Sequence, residues 1–157
     1  MFDDGNGNWY YASQGRFPEN VGGNANSNAL MMGHVRSIRW TKDGWPLVMP
    51  ERYGAVPQVA ITEEELVGNW EHIDLSYSYG NQKESATMTL AADHTITDGA
   101  WKNSTWSYDA EKQILTANGV DLYLQREVDW EASPRTPTIV YAAYGSNHKT
   151  YWGKKIK

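Results

Sequence analysis

The sequence predicts an all-β protein, on three observations. Apolar and polar residues alternate with a period of two over most of the chain, the spacing that turns one face of a strand toward a core. Asn-Gly, Asp-Gly and related pairs that favour tight hairpins fall between these runs. Of 157 residues, 8 are Trp, 10 are Tyr and only 2 are Phe, so nearly every aromatic ring has a polar edge. Such rings suit half-buried sheet surfaces and sugar-facing surfaces alike.

The elements follow in order. Residues 8–14 form a predicted strand behind the turn Asp3-Asp4-Gly5-Asn6-Gly7, giving a hairpin arm. Residues 15–28 are rich in Gly and Asn and include Pro18, a composition that predicts a long surface loop. In 29–40, Leu30, Met32, His34, Arg36, Ile38 and Trp40 share one strand face. The turn Lys42-Asp43-Gly44 then returns the chain into residues 45–48 as a second hairpin. Pro46, Pro50 and Pro57 stiffen an extended connector that is poorly able to pair as a central strand. Thr62 with Glu65 makes a capping box for one helical turn. Strands are then predicted at 68–79, 85–92, 95–97, 105–108, 112–117, 120–128, 137–144 and 149–156, divided by turn signals such as Gly80-Asn81, Asp98-Gly99 and Asn118-Gly119.

About eight short strands with hairpin-length turns predict an antiparallel β-barrel or sandwich over residues 61–157. Closure into a barrel would hide the sheet edges. This segment is long enough for its own core. Two hairpins without a partner sheet are marginal, so residues 1–60 are expected to need another surface.

Charge and composition exclude several functions. With 19 acidic and 14 basic side chains the net charge is −5, which argues against binding nucleic acid, where Lys and Arg must neutralise phosphates. Residues 1–60 hold five acids (Asp3, Asp4, Glu19, Asp43, Glu51) and five bases (Arg16, Arg36, Arg39, Lys42, Arg52), so the whole excess lies beyond residue 60. The absence of Cys excludes disulfides, thiolate metal sites and a thiol nucleophile. The longest nearly unbroken apolar run, 139–144, is far short of the roughly 20 residues of a membrane helix. The Asp- and Asn-rich N-terminus is unlike a signal peptide, and a soluble chain is expected.

Few residues suggest chemistry. The stretch from Asp4 to Asn8 alternates acidic and amide oxygens as a calcium loop would, but Trp9 and Gly15 stand where such a loop needs Gly and Glu. A plain hairpin turn is the simpler reading, and no metal site is assigned. His34, His72, His94 and His148 have no metal-ligand spacing. Asp74, Asp121, Glu127 and Asp129 lie in or beside predicted strands without any sign of convergence across a cleft, and read as solvated outer-face groups. No catalytic residue is nominated. Arg16 differs: an aromatic strand runs through Gly15 into this lone cation at the head of the long loop, where a strand end delivers a polar group to a cleft. The alternative is an ordinary surface cation.

The stretch Trp9-Tyr10-Tyr11-Ala12-Ser13-Gln14-Gly15-Arg16-Phe17-Pro18, then Asn28-Ala29-Leu30-Met31-Met32-Gly33-His34-Val35-Arg36, then Trp40-Thr41-Lys42-Asp43-Gly44-Trp45-Pro46 with Pro50-Glu51-Arg52-Tyr53, resembles the end of the catalytic domain of endo-1,5-α-L-arabinanases of glycoside hydrolase family 43. The remainder resembles their accessory C-terminal β-domain through Leu66-Val67-Gly68-Asn69-Trp70-Glu71, Gly99-Ala100-Trp101, Trp106 and Tyr151-Trp152-Gly153-Lys154-Lys155-Ile156. The resemblance implies the last strands of a five-bladed β-propeller in residues 1–58, an incomplete blade, and an antiparallel barrel-like accessory domain in 61–157. The family's three catalytic acids belong to earlier blades and have no counterpart here. Its central metal ion lies in the missing propeller centre, so no cofactor or metal is expected in this chain. The resemblance further implies an extracellular location and inverting hydrolysis of α-1,5-linked arabinan, with one acid protonating the leaving oxygen and a carboxylate activating water. This chain would contribute only cleft-lining groups, Gln14 and Arg16 from the strand end.

Three readings follow. In the leading one the chain is the C-terminal portion of an arabinan-degrading hydrolase, inactive alone, whose barrel supports the propeller or its substrate. In the second the barrel is a carbohydrate-binding module with a planar row of exposed rings, for example Trp101, Trp106 and Trp130. In the third it is a lipocalin-like barrel for a small apolar ligand. The apolar face of residues 1–60 (Trp9, Tyr11, Leu30, Met32, Ile38, Trp40) is expected to pack on the barrel, to self-associate, or to join a separately supplied N-terminal propeller portion. Arabinan or an arabino-oligosaccharide is the expected partner, with neither nucleic acid nor membrane.

Overall fold

The computed structural model describes residues 1–16, 31–76 and 83–156. Among the described residues, twelve strands form two antiparallel sheets. The first holds β1 (Phe2–Asp3), β2 (Trp9–Arg16), β3 (Met31–Trp40) and β4 (Pro46–Val48) in chain order. The second holds β5 (Gly68–Asp74), β6 (Ala86–Leu90), β7 (Ile96–Gly99), β8 (Trp106–Asp109), β9 (Ile114–Ala117), β10 (Val120–Asp129), β11 (Thr136–Tyr144) and β12 (Thr150–Lys155). Its order is β7-β6-β5-β12-β11-β10-β9-β8, and a bridge between Thr95 and Thr105 links its two ends into a nearly closed barrel. The all-β expectation holds, and the antiparallel sheet closes as a barrel rather than splitting into a sandwich.

The turns form where the sequence marks them. Asn118 and Gly119 both take positive φ, 50° and 74°, as the two-residue β9–β10 hairpin requires. Between β1 and β2 the Asp4 carboxylate accepts from the amides of Asn6 and Asn8 and from the Asn8 side chain. Its oxygens satisfy the turn itself, as the hairpin reading expects. Half of the anticipated capping box forms: Glu65 accepts from the Thr62 amide at 2.9 Å, next to a 3₁₀ turn at Glu64–Leu66. Residues 17–28 of the expected long loop and the turn at Gly80-Asn81 lie outside the described residues.

Alternation decides which residues fill the barrel. Trp70, Met88, Leu90, Ile96, Trp106, Leu115, Leu122, Leu124, Tyr141 and Tyr151 point inward and are buried together. Eight strands enclose a space that side chains of this size fill, so the ligand-barrel reading is set aside by a packed interior. Gly153 on β12 faces the Tyr141 ring so closely that no Cβ fits between them.

β11 is buried on both faces. Its inner residues Ile139, Tyr141 and Ala143 belong to the barrel core, while Val140 and Ala142 on the outer face meet Leu47 and Met49 of the first sheet and its connector. This two-sided burial explains why residues 139–144 read as a continuous apolar run rather than an alternating one. The first sheet therefore docks on the outside of β10, β11 and β12. Of the anticipated face, Ile38 is buried but Tyr11 and Trp40 are exposed. The apolar contacts with the barrel come from Leu47 and Met49 instead, and Leu47 pairs Arg39, one position out of phase with Ile38 and Trp40. Leu30 lies outside the described residues.

Candidate functional site

The seam between sheet and barrel is rich in polar contacts. Along it the connector donates and accepts in register with the barrel's outer face. The Trp152 indole donates to the Val48 carbonyl and the Trp130 indole to that of Arg52, each at 2.8 Å. The Arg39 guanidinium donates to the Leu124 carbonyl at 2.6 Å, and the Lys42 amide to the Tyr123 hydroxyl at 2.9 Å. Gln58 bonds both the amide and the carbonyl of Arg126, like one more rung of a ladder. Arg36 lies over the Trp152 ring at 5.2 Å and donates to the Pro50 carbonyl.

Two of the carboxylates expected to be solvated are enclosed here instead. Glu127 is 1% exposed and accepts from the amides of Gly54 and Val128, while burial pushes its carboxyl upward against those bonds. Asp129 faces Lys154. The Lys154 ammonium, on a side chain only 11% exposed, lies 3.0 Å from Asp129, 3.3 Å from Glu51, 2.6 Å from Glu131 and 3.7 Å from Glu71. These groups are on the barrel's outer face as expected, but the connector covers that face, and a covered carboxylate needs a partner. Burial lowers and the carboxylates raise the Lys154 ammonium, and the carboxylates prevail. Glu51, Asp129 and Glu131 bring oxygens within 4.8 Å of one another, a spacing that would suit a metal ion. Lys154 already supplies the positive charge at that point, so the cluster is a salt-bridge network and carries no metal assignment.

A cleft of about 690 Å³ opens beside this seam, lined by Trp9, Tyr10, Trp40, Tyr53, Arg39 and Gln113 among others. Tyr10 and Tyr53 meet edge to face at 5.0 Å, and their hydrogen bond pushes the Tyr10 hydroxyl up to about 12. Glu111 is the single carboxylate of the lining among the described residues. One acid cannot supply the pair that glycoside hydrolysis uses. Gln14 is exposed on β2 opposite Gly33, and Arg16 ends the strand opposite Met31. Gln14 shares a strand face with Tyr10 but stands four residues along the strand from it, about 13 Å, and does not line the cleft.

His72 and His94 are packing groups of the barrel. His72 lies inside the barrel, 2.6 Å from the Tyr141 hydroxyl and edge-on to Trp101, and burial pushes it down to about 4. His94 stacks on Trp106 and bonds Glu63 at 2.9 Å. The anticipated row of rings does not form. Trp106 is buried, Trp101 packs on His72 and Tyr151, and Trp130 is flanked by the guanidinium groups of Arg52 and Arg135, each 4.5 Å from its ring.

The family model of the C-terminal lipocalin-like domain of glycoside hydrolase family 43, GH43_C, matches residues 50–153, which include the connector as well as the barrel. The chain belongs to this family. Three solved structures share the fold of the whole GH43_C-containing chain. The family 43 YxiA protein from Bacillus licheniformis is 24% identical with a TM-score of 0.79, covering 100% of this chain and 34% of that one. The endo-1,5-alpha-L-arabinanase from Thermotoga petrophila RKU-1 is 21% identical with a TM-score of 0.77, with the same coverage of 100% and 34%. The same enzyme in complex with TRIS is 18% identical with a TM-score of 0.73, again covering 100% and 34%. The chain thus spans about a third of the length of these structures. No curated protein sequence matches it. Within the GH43_C chain, the Gly-x-Trp opening of β5 begins the barrel, and Trp70 is fully buried in its core.

Proposed function

We propose that this chain is the C-terminal portion of an arabinan-degrading glycoside hydrolase, of the inverting endo-1,5-α-L-arabinanase type, and that its barrel fastens the last strands of the catalytic propeller. The observation that carries this reading is the seam. A short sheet of four strands is held by Leu47 and Met49 against Tyr123, Val140 and Ala142 of the barrel, and burying each large side chain there contributes on the order of 1.5–3 kcal/mol. The fold shared with the Thermotoga arabinanase supports arabinan or an arabino-oligosaccharide as the substrate of the whole protein. An extracellular location fits a polymer substrate of that size. The remaining propeller strands are the natural partner of the exposed part of the first sheet.

On this reading the chain itself is not catalytic. Incubated with linear arabinan, it releases no reducing sugar above the blank in a reducing-end assay, and release that tracks the purified chain would overturn the reading. Gln14 and Arg16 serve as substrate-orienting groups at the propeller cleft, supported by their place at the end of β2. In a longer enzyme carrying this segment, Arg16→Ala is expected to lower kcat/KM on arabinan by on the order of tenfold, the loss of one charge-assisted hydrogen bond. Unchanged kinetics would remove Arg16 from the site.

A further inference from the structure

The most exposed tryptophan among the described residues is Trp45, 60% accessible, at the end of the β3–β4 turn. An indole held in water has no packing reason to be there. It is nevertheless held firmly. Its amide donates to Thr41 Oγ1 at 2.9 Å, and the Thr41 amide donates to its carbonyl at 2.9 Å. Tyr144, 39% exposed at the end of β11, stands beside it with ring centroids 6.1 Å apart and planes at 42°. The Tyr144 hydroxyl is fixed in turn by His148 Nδ1 at 2.9 Å. Trp45 comes from the sheet and Tyr144 from the barrel, so the pair exists only because the two units dock.

These rings form the common wall of two shallow grooves, of about 290 and 330 Å³. One groove offers hydrogen-bonding groups: Asp43, Asp121, Ser146 and His148. The other is apolar, with Leu47, Leu75 and Trp152. We propose that Trp45 and Tyr144 form a platform for a neutral saccharide chain, whose ring faces stack on the aromatics while its hydroxyls bond the polar groove. A sugar presents this combination of apolar C–H face and polar rim, matching rings that are apolar in body and polar at the edge. A phosphorylated ligand does not fit: Lys42, the cation of the polar groove, pairs with Asp121 at 3.1 Å, and Asp43 adds a further negative charge. Two partly exposed aromatic side chains, at most about 150–250 Å² each, fall well short of the roughly 1,000 Å² that a specific protein interface buries. The choice of arabinan as the sugar rests on the function proposed above; the platform itself does not.

The test is native gel retardation of the full chain in gels containing linear arabinan or, separately, hydroxyethylcellulose, for the wild type, Trp45→Ala and Tyr11→Ala. Tyr11 is an exposed ring on β2, away from both grooves. The expected result is retardation of the wild type and of Tyr11→Ala in arabinan, weakened on the order of tenfold in Trp45→Ala. Thermal midpoints of the three should coincide, since neither ring is buried. Wild-type mobility unaffected by either polymer, or retardation of Trp45→Ala equal to that of the wild type, would overturn the platform. Retardation by hydroxyethylcellulose alone, lost in Trp45→Ala, would keep the platform and overturn arabinan as its ligand.

Discussion

Replacing Lys154 with Met lowers the unfolding free energy by about 3–5 kcal/mol at neutral pH, the cost of leaving buried charges without their partner. Met preserves the volume of the side chain but not its charge. Glu51 and Asp129, largely covered by the connector, then face each other and Glu131 with no cation between them. Urea unfolding followed by tryptophan fluorescence measures the loss, and a variant as stable as the wild type would show that the network contributes nothing.

The pH dependence changes sign in the same variant. In the wild type, burial raises the Asp129 carboxyl, but the Lys154 ammonium and the amides of Glu131 and Ala132 outweigh it and hold the group below its usual 3.8. A depressed carboxyl contributes stability that is present above its unfolded value and lost as pH falls through the folded one. Lys154, raised above its usual 10.5, contributes stability that is present below that value and lost as pH rises through the folded one. Burial raises Glu51 despite the pull of Lys154, so its ionised form opposes folding at neutral pH and protonation relieves it. Without the ammonium, Glu51 and Asp129 repel each other and are raised. Lys154→Met is therefore expected to gain stability as pH falls from roughly 7 toward 4, narrowing its gap to the wild type. Parallel pH profiles for the two proteins would contradict this account.

Met49→Ala is the second large effect. Met49 is fully buried, yet it lies at the seam with Tyr123, Val140 and Ala142 rather than inside the barrel. Truncating a buried Met costs about 2–5 kcal/mol through lost transfer energy and the cavity left behind. For a chain of this size, about 3 kcal/mol lowers the thermal midpoint by roughly 6–12 °C. Because the lost contact joins the two sheets, the first sheet should also become more open to limited proteolysis within residues 31–48 than the barrel is. A lowered midpoint with no preferential cleavage there would mean that sheet and barrel unfold as one unit, and an unchanged midpoint would mean that the sheet is anchored elsewhere.

Local chemistry made the barrel strands legible. Asn118-Gly119 marks a turn because both residues accept positive φ, and the alternation in β5 separates Trp70 and His72 from the less buried Asn69 and Glu71. The seam left one readable trace: the unbroken apolar run of β11 signals burial on both faces. Asp129 and Lys154 gave no such trace, because charged residues at alternate strand positions look the same whether water or a connector covers them. The same limit applied to the rings. Trp45 immediately precedes one short strand and Trp106 begins another, but one is exposed and the other is enclosed by the barrel.

The sequence by itself determined the all-β class and the strand and turn order of the barrel. Each rests on interactions between residues close in the chain, where backbone preference and side-chain period act directly. Only the tertiary structure decided that the sheet closes into a packed barrel, that Lys154 collects carboxylates from the connector, β5, β10 and the segment after it, and that Trp45 meets Tyr144 nearly a hundred residues later. These depend on which surfaces meet when separate segments exclude water together, a property of the assembled layers rather than of any window of the chain.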